Sequence, residues 1–306
     1  MPRLIKPRAI PEDATFGIAA PGGPVHPDRL EEGCELLRHM GFGVVHRDDI
    51  GSRDSYLAGS DERRAKELME LVEDPRVHGI LCARGGYGCD RILHRLDPER
   101  FRAARKPLVG YSDVTALLLW QHRVAGLVGF HGPMLDRGSD IDAGAWDALV
   151  EALRGRLEGP QRLRGTPRAG GSAEGRLVGG SLTLLTASLG GPWELDTKGA
   201  ILLVEDVGER PYRIDRMLRQ LVAAGKLESA AGIGIGAFAS CDDDRYPEPS
   251  AAAVIEAVVR PLGVPVVADL AFGHIRENYA WPMGLRATMD GDVGELRIHG
   301  QWVSAA

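Results

Sequence analysis

Cysteine is scarce: the 306 residues hold four, Cys34, Cys82, Cys89 and Cys241. Zinc knuckles space their cysteines about two to four residues apart and use a matching second pair, and neither feature is present. The scattered thiols read as free cysteines of a reducing compartment, with no metal or other cofactor expected. No apolar window reaches the length of a membrane span, and the leading "MPRLIKPRAIPED" has no apolar stretch of signal-peptide length. No membrane association is therefore expected, and the location expected is the cytoplasm. Positive charge is lacking too: the net charge is −6, the pI is near 5.9, and no Lys/Arg cluster interleaves with aromatics. That excludes a surface built to grip phosphate backbones, so no nucleic-acid partner is expected. There is no internal repeat. What remains is an ordinary globular composition, 44% hydrophobic and 26% charged, long enough to bury about three quarters of its unfolded surface as one large domain or two.

The pattern of the first half is alternating. "TFGIAAPGGPV" (15–25) reads as a buried strand breaking into a Gly/Pro turn, and "PDRLEEGCELLRHM" follows with helical spacing. "FGVVH", "HGILCA", "KPLVG" and "GLVGF" read as further strands. "SDERRAKELMELVED", capped by Ser60, "CDRILHRL" and "DVTALLLWQH" read as the helices between them. Such alternation predicts a Rossmann-like parallel sheet over residues 1–155. Residues 156–175, most of them in the stretch "GRLEGPQRLRGTPRAGG" (155–171), show neither period and are expected to be a linker. Beyond it, "SLTLLTASLG", "AILLVED", "RPYRIDRMLRQLVAAG", "GIGIGAFAS", "SAAAVIEAVVRPLG" and "PVVADLAFGH" mix helix and strand, and "LRATMD" and "ELRIHG" form a terminal hairpin or meander. The expectation for 176–306 is a C-terminal α+β domain.

Ligands of open parallel sheets bind beyond the carboxyl ends of the strands, which selects a short set of residues. After "KPLVG" comes "YSD", where Ser112 is either a helix N-cap or the exposed serine of a nucleophile elbow, although G-x-S-x-G is not met. After "HGILCA" comes "RGGYG", either a plain turn or a loop whose backbone N–H groups complete an oxyanion hole. Glu205 ends "AILLVE" as either a turn residue or a carboxylate that orients an imidazole. Of nine histidines, only His131 and His274 follow strands; the rest lie in helical patterns, before a strand or away from any polar constellation. A serine nucleophile needs such a base and such a carboxylate. "CDDDR" (241–245) has no histidine partners and reads as a solvated acidic loop.

The motifs "AAPGGPV", "YLAGSDERRAKELMELVEDPRVHGILCARGGYGCDRIL", "GYSDVTALL", "FHGPM", "EDVGERPYRIDRMLRQL" and "GHIRENYAWPMG" occur in an order that resembles one family along nearly the whole chain. It is the serine LD-carboxypeptidases, peptidase family S66, with the related microcin-C-cleaving self-immunity hydrolases. The resemblance implies a two-domain fold with the active site in the interdomain cleft and a triad of Ser112 as nucleophile, Glu205 as orienting carboxylate and His274 as base. His131 becomes a structural residue of the "HGPM" turn. The oxyanion donors implied are the N–H groups of Gly86 and Asp113, and Arg84, Tyr87 and Arg213 are candidates for holding a substrate carboxylate. Ser181 stands where the family often has asparagine. The activity implied is hydrolysis of the meso-diaminopimelate to D-alanine bond of muropeptide tetrapeptides in peptidoglycan recycling, by a metal-free homodimer. The alternative is cleavage of a peptidyl-nucleotide amide bond.

Overall fold

Short apolar runs in the first half of the chain pair side by side as a parallel sheet, each followed by a helix that carries the chain back to start the next strand in the same direction. The computed structural model describes residues 3–245 and 247–305. The strands are β1 (Thr15–Ala19), β2 (Gly43–Val45), β3 (Gly79–Cys82), β4 (Leu108–Gly110) and β5 (Gly129–His131), and the sheet order is β12-β5-β4-β3-β1-β2. Its edge strand β12 (Trp281–Met283) arrives from the far end of the chain. The helices are α1 (Pro27–His39), α2 (Asp61–Glu73), α3 (Cys89–Ile92), α4 (Pro98–Ala104), α5 (Thr115–Trp120) and α6 (Ala143–Leu153), of which α4 and α6 add to those expected. Ser60 caps α2 by accepting from the Arg63 N–H, and Asp97 caps α4 through the N–H groups of Glu99 and Arg100. α5 is buried on every side and widens at its end into a π turn over Gln121–Ala125, which Gly126 terminates in the left-handed conformation.

The order of this sheet places the chemistry. The chain leaves β1 for β2 on one side and then returns to β3 on the other, so the direction of winding reverses between β1 and β3. At such a switch point the loops following the two strands part and leave a crevice at their carboxyl ends. Those loops are "PGGP" and "RGGYG".

The second sheet is mixed, in the order β6-β14-β13-β8-β9-β10-β11-β7. Its centre is β8 (Ser172–Ser181), β9 (Ala200–Val207), β10 (Gly232–Ala239) and β11 (Val266–Ala268), all parallel. β13 (Arg286–Asp290) and β14 (Glu295–Ile298) form the expected antiparallel hairpin beside β8. The helices are α7 (Leu182–Ala187), α8 (Pro211–Ala223) and α9 (Ala251–Val259).

The segment expected to be a linker is part of this sheet. Residues 156–175 contain β6 (Gln161–Arg164), β7 (Thr166–Ala169) and the start of β8. β6 and β7 occupy opposite ends of the strand order yet are joined by Gly165 alone, so the curled sheet meets itself there. A Cβ on Gly165 would lie 2.1 Å from the Ala268 carbonyl oxygen, which only glycine avoids. Both strands are largely exposed and rich in arginine, as edges that discourage pairing with other chains are, so they lack the apolar alternation that reveals a half-buried strand.

By contacts the chain divides into two units. The first holds the described residues through Leu157, with Tyr279–Pro282 and the tail from Gln301, where Trp302 stacks on Phe130 at 6.1 Å; the second holds Glu158–Asn278 and Met283–Gly300.

Candidate active site

Two constellations of strand-end residues form, one in each unit. In the first unit β4 ends at Gly110, where a Cβ would meet Val114 Cγ1 at 2.7 Å; this close approach lets the chain turn back immediately into a helix. Ser112 sits at the apex with φ +61°, a left-handed conformation that costs a non-glycine residue roughly 1–3 kcal/mol and is typically retained where function over-determines it. A merely capping serine has no need of it: N-caps adopt extended φ/ψ, as Ser60 does at φ −65°.

The glycine loop after β3 packs on this turn. A Cβ on Gly85 would lie 2.8 Å from Ser112 Cβ, 3.0 Å from its Oγ and 3.2 Å from the Asp113 nitrogen, so the expected loop and serine are in contact. Gly86, at φ +89°, packs on Gly23 of the first loop, and the Gly23 N–H donates to the Gly85 carbonyl at 2.7 Å. The Asp113 side chain, almost fully buried, accepts from the Cys89 N–H at 2.9 Å and also from the Gly88 N–H. Burial pushes its carboxyl above the usual range, against the pull of those N–H groups. Asp113 thus pins the end of the glycine loop to the turn bearing Ser112.

A second clamp comes from α2. The fully buried Arg64 guanidinium donates to the carbonyls of Pro21 and Gly88, the latter at 2.7 Å, and pairs with Asp61. One turn on, buried Glu67 accepts from the Ala20 N–H at 2.7 Å and pairs with Arg63. The two loops at the switch point are therefore fixed by charged groups inside the fold. Nothing in the sequence distinguishes Arg64 from the adjacent Arg63 except that it shares the buried face of α2.

Arg84 and Tyr87 lie in the same loop. Arg84 donates to the Pro24 carbonyl at 2.8 Å and faces Asp136 at 3.6 Å, while Tyr87 stands in solvent. His131 is fully buried, its ring stacked on Trp281 at 4.9 Å and tilted against Tyr111 at 5.8 Å. It belongs to an aromatic stack behind the serine turn.

In the second unit Glu205 is the sixth residue of β9 and wholly buried, paired in register with Ser181 at the end of β8. His274 is reached by an unusual path. After β11 the chain crosses the end of β10, held by the Leu270 N–H to the Ile235 carbonyl and the Ala237 N–H to the Phe272 carbonyl, each at 3.0 Å. The small-residue run "GIGIGAFA" explains the crossing: a Cβ on Gly236 would lie 2.6 Å from the Phe272 ring. The segment thereby brings His274 to Glu205, with Nδ1 and Oε2 2.7 Å apart. An ionised carboxylate only accepts, so in this pairing Nδ1 is the donor.

Two further residues hold this pair. Gly273 has φ +106°, and a Cβ there would lie 2.8 Å from Glu205 Oε2. The buried Asn278 accepts from the Gly273 N–H at 2.9 Å and closes the turn around His274. The neighbouring Asp206 is also buried. It accepts from the Thr183 N–H at 2.8 Å and hydroxyl at 2.9 Å, and ties β9 to the first turn of α7. Arg213 belongs to this unit, where its guanidinium meets Glu209 at 3.4 Å and the Tyr212 hydroxyl at 3.2 Å. In "CDDDR", Asp243 pairs with Arg210 and Arg245, and Asp242 accepts from the Ala251 N–H at 2.8 Å at the start of α9. These acids serve the loop itself.

A family model described as the LD-carboxypeptidase N-terminal domain matches residues 16–132, and one described as the LD-carboxypeptidase C-terminal domain matches residues 174–289. A Bacillus subtilis protein described as a probable murein peptide carboxypeptidase is 38% identical over 293 residues, 93% of this chain and 91% of its own length. The microcin C7 self-immunity protein MccF of Escherichia coli is 26% identical over 340 residues, 99% and 97% of the two chains. The crystal structure of muramoyltetrapeptide carboxypeptidase from Oxalobacter formigenes matches with a TM-score of 0.84 at 31% identity, covering 95% of this chain and 100% of that one.

Proposed function

The chain belongs to the LD-carboxypeptidase family, and from that premise we propose that it hydrolyses the amide bond between meso-diaminopimelate and D-alanine in murein tetrapeptides by a serine mechanism. Ser112 Oγ attacks the carbonyl carbon while His274 Nε2 takes its proton, and Glu205 holds the imidazolium through Nδ1. The N–H groups of Asp113 and Gly86 receive the oxyanion, each worth about 3 kcal/mol of transition-state stabilisation. The proton on His274 then passes to the leaving nitrogen, D-alanine departs, and a water molecule activated by the same histidine releases the tetrapeptide's remaining part from Ser112. Every step uses protein groups and water.

The observation that carries this reading is the 2.7 Å pair of His274 and Glu205, an imidazole set in the tautomer a general base needs. The left-handed Ser112 and the glycine loop packed on it support the nucleophile's role. Arg84 and Arg213 are the candidates for receiving the substrate's charged ends, with Tyr87 beside Arg84 in the glycine loop. We place the enzyme in the cytoplasm as a homodimer, acting on wall fragments returned for recycling.

The self-immunity relative favours a second reading, cleavage of a peptidyl-nucleotide amide bond by the same residues. Incubation with L-Ala-γ-D-Glu-meso-diaminopimelate-D-Ala, with Ser112→Ala in parallel, separates the two. Release of D-alanine by the wild type alone is expected. No release by the folded wild type, with hydrolysis of an aminoacyl-sulfamoyl adenosine instead, moves the assignment to the second.

A further inference from the structure

Folding normally covers aromatic rings, so those left in water ask for an explanation. Among the described residues the large apolar or aromatic side chains standing exposed are Tyr56, Tyr87, Val207, Tyr212 and Val293. Two of them meet: the rings of Tyr56 and Tyr87, 59% and 47% exposed, pack edge to face with centroids 5.6 Å apart and planes at 67°.

Both rings are held out by rigid backbone. Tyr56 is at the tip of a tight turn closed by reciprocal bonds between Asp54 and Leu57, each 2.9 Å, with Ser55 left-handed at φ +56°. The Ala58 N–H fastens that turn to the Gly22 carbonyl at 2.9 Å. Tyr87 is set between Gly86 and Gly88, at φ +89° and +124°, and its hydroxyl meets Arg91. The frame that presents the rings is the one that holds the Ser112 turn: Gly23 packs against the Tyr56 carbonyl and Gly86, while Gly22 and Gly85 pack against Asp113 and Ser112.

We propose that Tyr56 and Tyr87 form an aromatic corner that receives the pyranose ring of a sugar-bearing murein peptide, an inference that rests on the function proposed above. Alanine, glutamate and diaminopimelate are small or charged and offer no flat apolar face. A pyranose does, through the C–H bonds on one side of its ring, and its hydroxyls suit the polar tips of tyrosine. The geometry disfavours a nucleobase slot. A base held between two rings needs them parallel and about 7–8 Å apart, twice the roughly 3.5–4.0 Å contact distance between carbons, whereas these rings already touch each other at a steep angle.

The test compares kcat/KM for D-alanine release from the free tetrapeptide and from the same peptide carrying N-acetylmuramic acid. The wild type is expected to prefer the sugar-bearing substrate by about threefold to tenfold, the range one aromatic contact supplies. Tyr56→Ala is expected to bring that ratio close to one, mainly through KM, and Tyr56→Phe, which keeps the ring, to retain it. Equal use of both peptides by the wild type, or a preference that survives Tyr56→Ala, overturns the assignment. So does an equal loss on both substrates, which marks a structural role. Release from neither peptide overturns the murein reading itself and the sugar assignment with it. If instead Tyr56→Ala selectively weakens cleavage of an aminoacyl-sulfamoyl adenosine relative to its base-free analogue, the corner holds a base and not a sugar.

Discussion

Replacing Gly273 with alanine tests how the proposed base, His274, is set. The new methyl carbon would lie 2.8 Å from Glu205 Oε2, 3.0 Å from its Cβ and 3.2 Å from its Cγ. Ordinary carbon contacts are roughly 3.5–4.0 Å, so the glutamate side chain must retreat by about 0.5–1 Å or the backbone must shift away from φ +106°. Staying in that region costs a non-glycine residue roughly 1–3 kcal/mol. Either response stretches the 2.7 Å bond between Glu205 and His274 Nδ1. Misplacement on the order of 1 Å costs about a hundredfold in rate when it disturbs reacting groups. The expected result is therefore a loss of about a hundredfold in kcat for D-alanine release, with KM nearly unchanged because no substrate contact is removed. Circular dichroism and a melting curve on the same sample show whether the variant is folded. A folded Gly273→Ala enzyme with wild-type kcat refutes the claim that this glycine sets the base.

Glu205→Gln is expected to lower kcat by on the order of a thousandfold to ten-thousandfold in a protein that still folds, because the amide no longer selects the Nδ1–H tautomer; retention of more than about a tenth of the activity contradicts the orienting role. Gly165→Ala puts a methyl 2.1 Å from the Ala268 carbonyl oxygen at the seam of the second sheet, and a lower melting temperature, equivalent to roughly 1–3 kcal/mol or more, is expected; an unchanged melt means the seam is not closed as described. Asp74 is held down to about 2, chiefly by its hydrogen bonds from Arg76. A depressed carboxyl contributes stability above its unfolded value near 3.8, and that contribution disappears as the pH falls through about 2. The difference in urea midpoint between wild type and Arg76→Ala is therefore expected to be full near pH 6 and mostly lost near pH 2, and an equal difference at both contradicts the linkage.

The strand-end residues were legible in the sequence because period and punctuation place them. Ser112 in the first sheet, and Glu205, His131 and His274 after other apolar runs, are picked out by position, and only the family resemblance chooses among them. What was not legible depends on contacts between distant segments. Arg64 looks like any arginine of α2 until its guanidinium is found among the carbonyls of Pro21 and Gly88. Asn278 lies in a polar stretch whose turn exists only because Gly273 and Glu205 meet. The stretch 156–175 failed for the opposite reason. Its strands gain their partners at the edges of a sheet, β6 from β14 and β7 from β11, while their side chains stay in water, so the sequence has no apolar face to show. The glycines of β10 look like a weak strand and instead make room for Phe272 on the way to His274.

The central claim is that Ser112 and His274 act on one bond as a unit. Its most direct test is D-alanine release from the murein tetrapeptide by wild type, Ser112→Ala, His274→Ala and the double variant. Residues that act together are strongly non-additive, so the double variant is predicted to be no slower than the worse of the two single variants. Losses that multiply in the double variant, or a His274→Ala enzyme as active as wild type, would contradict the account.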